Sequence, residues 1–175
     1  QENNHTVISL TKEGEIGEKI KNLEVEIISL NMKKSVSIFS KLFRLKNIIQ
    51  NIDPDIVQTW MYHSDLIGGI AAKFAFNGPI IWNIRHSDLK TDSNKKTTIW
   101  TAKSSAKLSN KIPDKIISCS KTAKSIHSEL EYNENKIYVI PNGFNISEFN
   151  QEMYDSNKIY KELNIPNDNY LVGMV

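Results

Sequence analysis

The sequence predicts an α/β fold in which a mostly parallel sheet is covered by helices on each side. Two observations carry this. Short apolar runs rich in Ile and Val recur along the chain without strict alternation of polar and apolar residues. Strands of that kind are buried on both faces, as in parallel sheets. Between the runs, apolar residues return every three or four positions, the spacing of an amphipathic helix. Strand and helix signals that alternate along a chain belong to a parallel sheet with crossover helices.

The elements follow in order. Thr6-Val-Ile-Ser-Leu10 reads as a short buried strand, with Thr11 to Gly14 as a polar turn after it. Val25 to Leu30 is the second strand. Ile38, Leu42, Leu45, Ile49 and Ile52 then mark one face of a helix. Ser35 or Ser37 can cap its start, and Asp53-Pro54 ends it, because the residue before proline is pushed out of helical geometry.

Asp55 to Trp60 is the third strand. Ser64 and Asp65 stand where an N-cap belongs, ahead of a helix from Leu66 to Phe76. Gly68, Gly69, Ala71 and Ala72 sit together in that helix. Glycine weakens a helix, so their use predicts close packing on the sheet. Asn77-Gly78-Pro79 is a turn, and Ile80 to Arg85 the fourth strand. Asp92-Ser93-Asn94 offers a cap for a helix with Ile99, Ala102, Ala106 and Ser109 on one face, ended by Pro113. Lys115 to Ser120 is the fifth strand. Ser120 is placed to cap a helix that carries Ala123, Ile126 and Leu130. Lys136 to Ile140 is the sixth strand, broken by Pro141-Asn142-Gly143. A short helix over Asn157 to Leu163 and a strand from Leu171 complete the reading.

Length and composition narrow the functions. A chain of 175 residues can bury one sizeable core. A net charge of +2, with no basic run interleaved with aromatics, gives no indication of a nucleic-acid partner. The single cysteine, Cys119, excludes an internal disulfide and fits a small core residue in a reducing cytoplasm. No apolar run reaches membrane-span length. Gln1 to His5 is a polar lead-in without an initiator Met, and the chain stops inside the apolar run Leu171 to Val175. Both ends suggest a piece of a longer polypeptide.

Ligands of open α/β sheets bind beyond the carboxyl ends of the strands. Lys12, the His63-Ser64-Asp65 group, the Arg85-His86-Ser87-Asp88 group, Ser120-Lys121 and Asn142-Gly143 are the polar residues that follow predicted strands. Arginine is scarce, with only Arg44 and Arg85 in the chain. Placing one of them beside a histidine at a strand end suggests that a planar fork of donors is wanted there. Helix capping is the alternative for Ser64, Asp65 and Ser120, and a plain turn for Asn142-Gly143. No Gly-x-Ser-x-Gly elbow, paired-ligand zinc spacing, Gly-x-Gly-x-x-Gly or phosphate loop is present. Lys33, Lys34, Lys41, Arg44 and Lys46, with Phe39 and Phe43 among them, suit an anionic membrane surface; a solvated helix face is the alternative.

Four motifs in order resemble glycosyltransferases of family 4. Ile137-Tyr-Val-Ile-Pro-Asn-Gly-Phe-Asn-Ile-Ser-Glu-Phe149 is similar to the family's "Ile-Pro-Asn-Gly-Val-Asp-…-Phe" signature, with Asn145 where many members have Asp. Gln58-Thr-Trp-Met-Tyr-His-Ser-Asp-Leu66 resembles "Thr-Trp-Met-Tyr-His-Ala-Asp-Leu". Trp82-Asn-Ile-Arg-His-Ser87 resembles "Trp-Gly-Ile-Arg-His-Ser", and Ile117-Ser-Cys-Ser-Lys121 the segment that opens the helix after the fifth strand.

The resemblance implies the N-terminal half of a GT-B fold: a three-layer α/β/α Rossmann-like domain facing a second one across a cleft. It implies an acceptor-side domain over residues 1–150, with 151–175 as a linker helix and the first strand of a donor domain that continues past Val175. A first strand and its Gly-Gly loop would precede Gln1, so this chain alone is expected to be silent. The implied activity is sugar transfer from a nucleotide-sugar donor to a glycan or lipid-linked acceptor, with retention. It implies no metal and no cofactor, and it suits surface-polysaccharide synthesis in a bacterial cytoplasm, with peripheral contact at the inner membrane face. His86 would touch the donor sugar near the reacting carbon. Arg85 would orient the acceptor or a phosphate, and His63 and Asp65 would line the acceptor side. Ser120 belongs to the same rim, and Asn142 and Gly143 would shape the hinge between domains. A non-catalytic α/β ligand-binding or regulatory module and a GT-B sugar epimerase are the alternatives.

Overall fold

In a computed structural model of the protein, residues 4–32, 37–89, 94–149, 156–166 and 169 are described. The chain divides into two compact units, residues 1–141 and 142–175.

The first unit alternates strand and helix as its sequence pattern requires. Strand β1 (Thr6–Ser9) pairs in parallel with β2 (Glu26–Ser29), Thr6 opposite Glu26. Helix α1 (Gly14–Lys21) joins them. This helix corrects the sequence reading, which gave only a turn at its start. Its eight residues hold two glycines and only two apolar side chains, Ile16 and Ile20, too few to mark a helix face. The helix is tied by an ion pair between Lys21 and Glu13, and its glycine at 17 is buried.

Helix α2 (Ile38–Ile52) buries Leu45 and Ile49, as its periodicity predicts. Asp53, in the left-handed region at φ 49°, ends it ahead of Pro54. Strands β3 (Val57–Trp60), β4 (Ile80–Ile84), β5 (Lys115–Ser118) and β6 (Ile137–Val139) form a four-stranded parallel sheet in that order. Trp60 lies opposite Asn83, and Ile84 opposite Ser118. Helices α3 (Tyr62–Ala75), α4 (Lys96–Leu108) and α5 (Lys121–Glu129) follow β3, β4 and β5. Every described strand pair is parallel, as expected, but the strands form two sheets. Among the described residues no ladder joins β1 or β2 to the four-stranded sheet. The two sheets are held by one core instead, in which Ile8 and Leu30 pack with Trp82, Ile84 and Ile116.

The small residues of α3 do what their composition suggests. A Cβ added to Gly69 would stand 2.5 Å from Nε1 of the buried Trp82 and 3.0 Å from Ile112. The helix can lie on β4 only because glycine leaves that space. The start of α3 is the second correction. Met61, not Ser64 or Asp65, is the capping residue, and Asp65 N–H already bonds Met61 O at 2.9 Å inside the first turn. The Asp92 and Ser93 caps, the Ser35 cap, Lys33, Lys34 and the strand from Leu171 lie outside the described residues. Helix α4 follows Lys95, which makes no side-chain cap. Ser120 caps α5 as expected, its Oγ accepting from Ala123 N–H at 3.0 Å.

In the second unit, Asn145 Oδ1 accepts from Ser147 Oγ at 2.7 Å and Ser147 N–H at 3.3 Å. This starts a 3₁₀ turn over Ile146–Phe149, followed by helix α6 (Ser156–Glu162). Those acceptor contacts are ones an aspartate at 145 would also make.

Candidate active site at the carboxyl ends of the strands

In a parallel sheet every carboxyl end opens on the same rim, so residues distant in sequence meet there. Three strand ends contribute. Strand β3 ends on Trp60 and is followed by Met61 and Tyr62; after β4 come Arg85 and His86, and after β5, Cys119 and Ser120.

The turn between β3 and α3 is strained. Met61 has φ 75° and ψ 150°, a combination that favours glycine and costs about 1–3 kcal/mol in other residues. It is held by Met61 N–H donating to Asn83 O at 3.3 Å and by the first turn of α3. Asp65 fixes that turn from below. It is fully buried, and Thr59 Oγ1 stands 2.5 Å from Asp65 Oδ1. Burial pushes the Asp65 carboxyl up to about 7, against the opposing pull of Thr59 and the Asn83 main chain.

The strained turn delivers Tyr62 inward, only 2% exposed. Its hydroxyl lies 2.6 Å from His127 Nε2, and His127 Nδ1 lies 2.7 Å from Ala123 O. A carbonyl can only accept, so Nδ1 carries the proton, and Nε2 accepts from the tyrosine. Burial pushes the imidazole's pKa down, keeping it neutral, and pushes the phenol's up. Tyr132 packs edge-on against His127 with ring centres 5.1 Å apart.

On this buried base sits His86. Its ring stacks on Tyr62 with centres 5.2 Å apart and planes 28° apart. Beside it, the Arg85 guanidinium lies 4.5 Å from the ring centre of Trp60, which is 48% exposed. Cys119 Sγ approaches Arg85 O at 3.8 Å. A half-buried imidazole and an adjacent guanidinium, each laid on an aromatic ring, can bind an oxygen-rich anionic ligand with little loss of side-chain freedom.

The structure thus brings Arg85 and His86 together, with Ser120 as a cap on the neighbouring strand end. His63 is exposed on the first turn of α3, while Tyr62 and Asp65 of the same turn are buried. Asn142 and Gly143 open the second unit, and a Cβ on Gly143 would meet nothing within 4 Å. Among the described residues no cluster of His, Cys, Asp and Glu is arranged to hold a metal ion. Nor is any described helix long and apolar enough to cross a membrane.

Sequence reasoning passed over Trp60, Tyr62 and His127. His127 could have been found: it is four residues after Ala123 and three before Leu130, on the apolar stripe of α5. Polar residues on such a stripe are buried and need a partner.

An α/β domain of this kind hosts many unrelated activities, so its fold alone does not name a family. Residues 1–148 match the model of Glycosyltransferase Family 4, and the chain belongs to that family. No curated protein sequence matches it. Among solved structures, Anabaena Alr3699/HepE in complex with UDP and glucose superposes with a TM-score of 0.71 at 14% identity, covering 91% of this chain and 42% of that one. A glycosyltransferase from Rickettsia africae ESF-5 gives 0.68 at 19% identity, covering 93% and 42%. The lipopolysaccharide outer core galactosyltransferase WaaB gives 0.51 at 15% identity, covering 81% and 46%. The chain therefore spans less than half the length of each of these structures and has the fold of one Rossmann-like half of a GT-B glycosyltransferase.

Proposed function

We propose that this chain is the acceptor-side domain of a retaining glycosyltransferase. The enzyme would move a sugar from a nucleotide-sugar donor to a glycan or lipid-linked acceptor during surface-polysaccharide synthesis on the cytoplasmic side of a membrane. The observation that supports this reading best is His86, held at the sheet's carboxyl rim by its stack on Tyr62 and set beside Arg85.

Each residue has a part that its setting suits. His86 would meet the donor sugar near the reacting carbon, where an imidazole nitrogen can donate to a sugar hydroxyl. Arg85 would orient the acceptor or a phosphate with its fork of donors, kept in place by Trp60. His63, exposed at the start of α3, would line the acceptor side. Asp65, being buried, would serve by fixing the turn that carries Tyr62 and His63. Ser120 would hold the head of α5 against the rim, and Asn142-Gly143 would form the hinge to a donor domain. The reading calls for no metal and no cofactor. The HepE structures hold UDP and UDP-glucose, which makes a uridine-nucleotide sugar the first donor to try.

The test is a transfer assay on the full-length polypeptide, with UDP-glucose first and then a panel of other nucleotide sugars. Release of the nucleotide and a product of unchanged anomeric configuration are expected. If the full-length protein binds no nucleotide sugar, the proposal fails.

A further inference from the structure

Helix α5 buries a histidine on a face where an apolar residue would pack as well. His127 is fully buried, together with Ala123 one turn before it. Both ring nitrogens are used: Nδ1 lies 2.7 Å from Ala123 O, and Nε2 lies 2.6 Å from the Tyr62 hydroxyl. One nitrogen donates and the other accepts, from different sides of a rigid ring, as a neutral imidazole does. A buried pair of this kind adds little net stability, because two apolar groups of the same shape serve nearly as well. What it adds is position. The Tyr62 ring is held at its far end by a directional bond as well as by packing.

That position is passed on to the rim. The rings of His127 and Tyr62 stand 5.6 Å apart with planes at 31°, and those of Tyr62 and His86 stand 5.2 Å apart with planes at 28°. Three rings therefore form one row from α5 to the end of β4. Among the described residues the His86 ring makes no hydrogen bond, so the stack on Tyr62, and no polar partner, sets its plane.

We propose that His127 is a positioning residue for sugar transfer: through the Tyr62 ring it sets the plane in which His86 meets the donor sugar. The proposal rests on the transferase reading of the rim. His127 touches no substrate itself, lying under Tyr62 and edge-on to Tyr132. A purely structural role would make turnover follow stability, whereas a positioning role separates the two.

The experiment is a double-mutant cycle between Tyr62 and His127 in the full-length enzyme. It follows nucleotide release from UDP-glucose, or from whichever nucleotide sugar the wild type turns over, beside denaturant unfolding. His127→Phe and Tyr62→Phe should each lower kcat by at least about tenfold, less than His86→Ala does, with KM for the donor within about twofold of wild type. The double variant should regain most of the stability lost in the single ones, because neither half of the pair is left buried and unpaired, and should regain none of the kcat. His127→Gln, which keeps a donor and an acceptor, should recover most of kcat. The second readout needs no donor: the His86 Cε1–H resonance in histidine-labelled protein, assigned with His86→Ala and displaced by the Tyr62 ring current. It should move toward the position of an unstacked histidine in both Phe variants and return in His127→Gln. Wild-type kcat in His127→Phe, an unmoved His86 resonance, or a double variant that regains kcat along with stability overturns the inference and leaves the transferase reading standing. A wild type that turns over no nucleotide sugar removes that reading, and the inference with it.

Discussion

The Tyr62 hydroxyl lies 2.6 Å from Nε2 of His127, a residue 65 positions away on another helix. The pair joins the head of α3 to the body of α5, and His86 rests on the tyrosine ring. A chain of three side chains from three strand–helix units therefore fixes the rim imidazole that the transferase reading sets against the donor sugar.

Tyr62→Phe removes the hydroxyl and keeps the ring. It leaves His127 Nε2 as a buried acceptor with no donor, and an unpaired buried group of this kind costs about 1–3 kcal/mol. We expect thermal unfolding to shift down by several degrees. The tautomer of His127, read by nitrogen NMR, should stay protonated at Nδ1, because Ala123 O still accepts there. An unshifted melting curve would show that the hydrogen bond contributes nothing.

The buried carboxyl of Asp65 ties stability to pH. Its folded pKa of about 7 lies above the ordinary range near 3.9, so the folded state holds this proton where the unfolded chain has lost it. Between roughly pH 4 and 7 the folded form binds more protons, and stability falls as pH rises, at up to about 1.4 kcal/mol per unit from this group. Asp65→Asn removes the titration. Its melting temperature relative to wild type should rise from pH 5 to about pH 7 and level off above that. A difference that stays constant over that range would refute the assignment.

Much of this architecture was legible in the sequence, and what was not has physical causes. The parallel strands showed as unalternating apolar runs, and Gly68-Gly69 signalled a close approach that proves to be the Trp82 indole. Ser120 capped as expected because a cap is a local contact. Asp65 carries the same local signature, yet it turns inward to Thr59, and nothing within a few residues distinguishes the two outcomes. The Tyr62–His127 pair depends on which helices become neighbours, which periodicity does not encode. Helix α1 was missed because it is two turns long, with two glycines and only Ile16 and Ile20 to mark a face.

Met61 provides a test of strain at the site. At φ 75° and ψ 150° its side chain is unfavourable for the backbone, and its 43% exposure means that little packing depends on it. Met61→Gly should therefore stabilise the folded protein, by about 1 kcal/mol once the extra freedom of glycine in the unfolded chain is set against the relieved strain. Denaturant unfolding reads this directly. A loss of stability of similar size would mean that the thioether packs more than it strains.

His86→Ala separates a chemical role from a structural one. The ring is half-buried, and its stack on Tyr62 is worth about 0.5–1.5 kcal/mol, so the stability loss should be small. If the imidazole holds a donor-sugar hydroxyl in the transition state, turnover by the full-length enzyme should fall by about 10²-fold or more, the usual effect of removing a positioned donor. The discriminating measurement is kcat beside the unfolding midpoint of the same preparation. His86→Gln, which keeps an N–H donor, should recover part of kcat with no further change in stability. Turnover that falls only in step with the folded fraction would make His86 a packing residue and leave Arg85 as the residue to examine next.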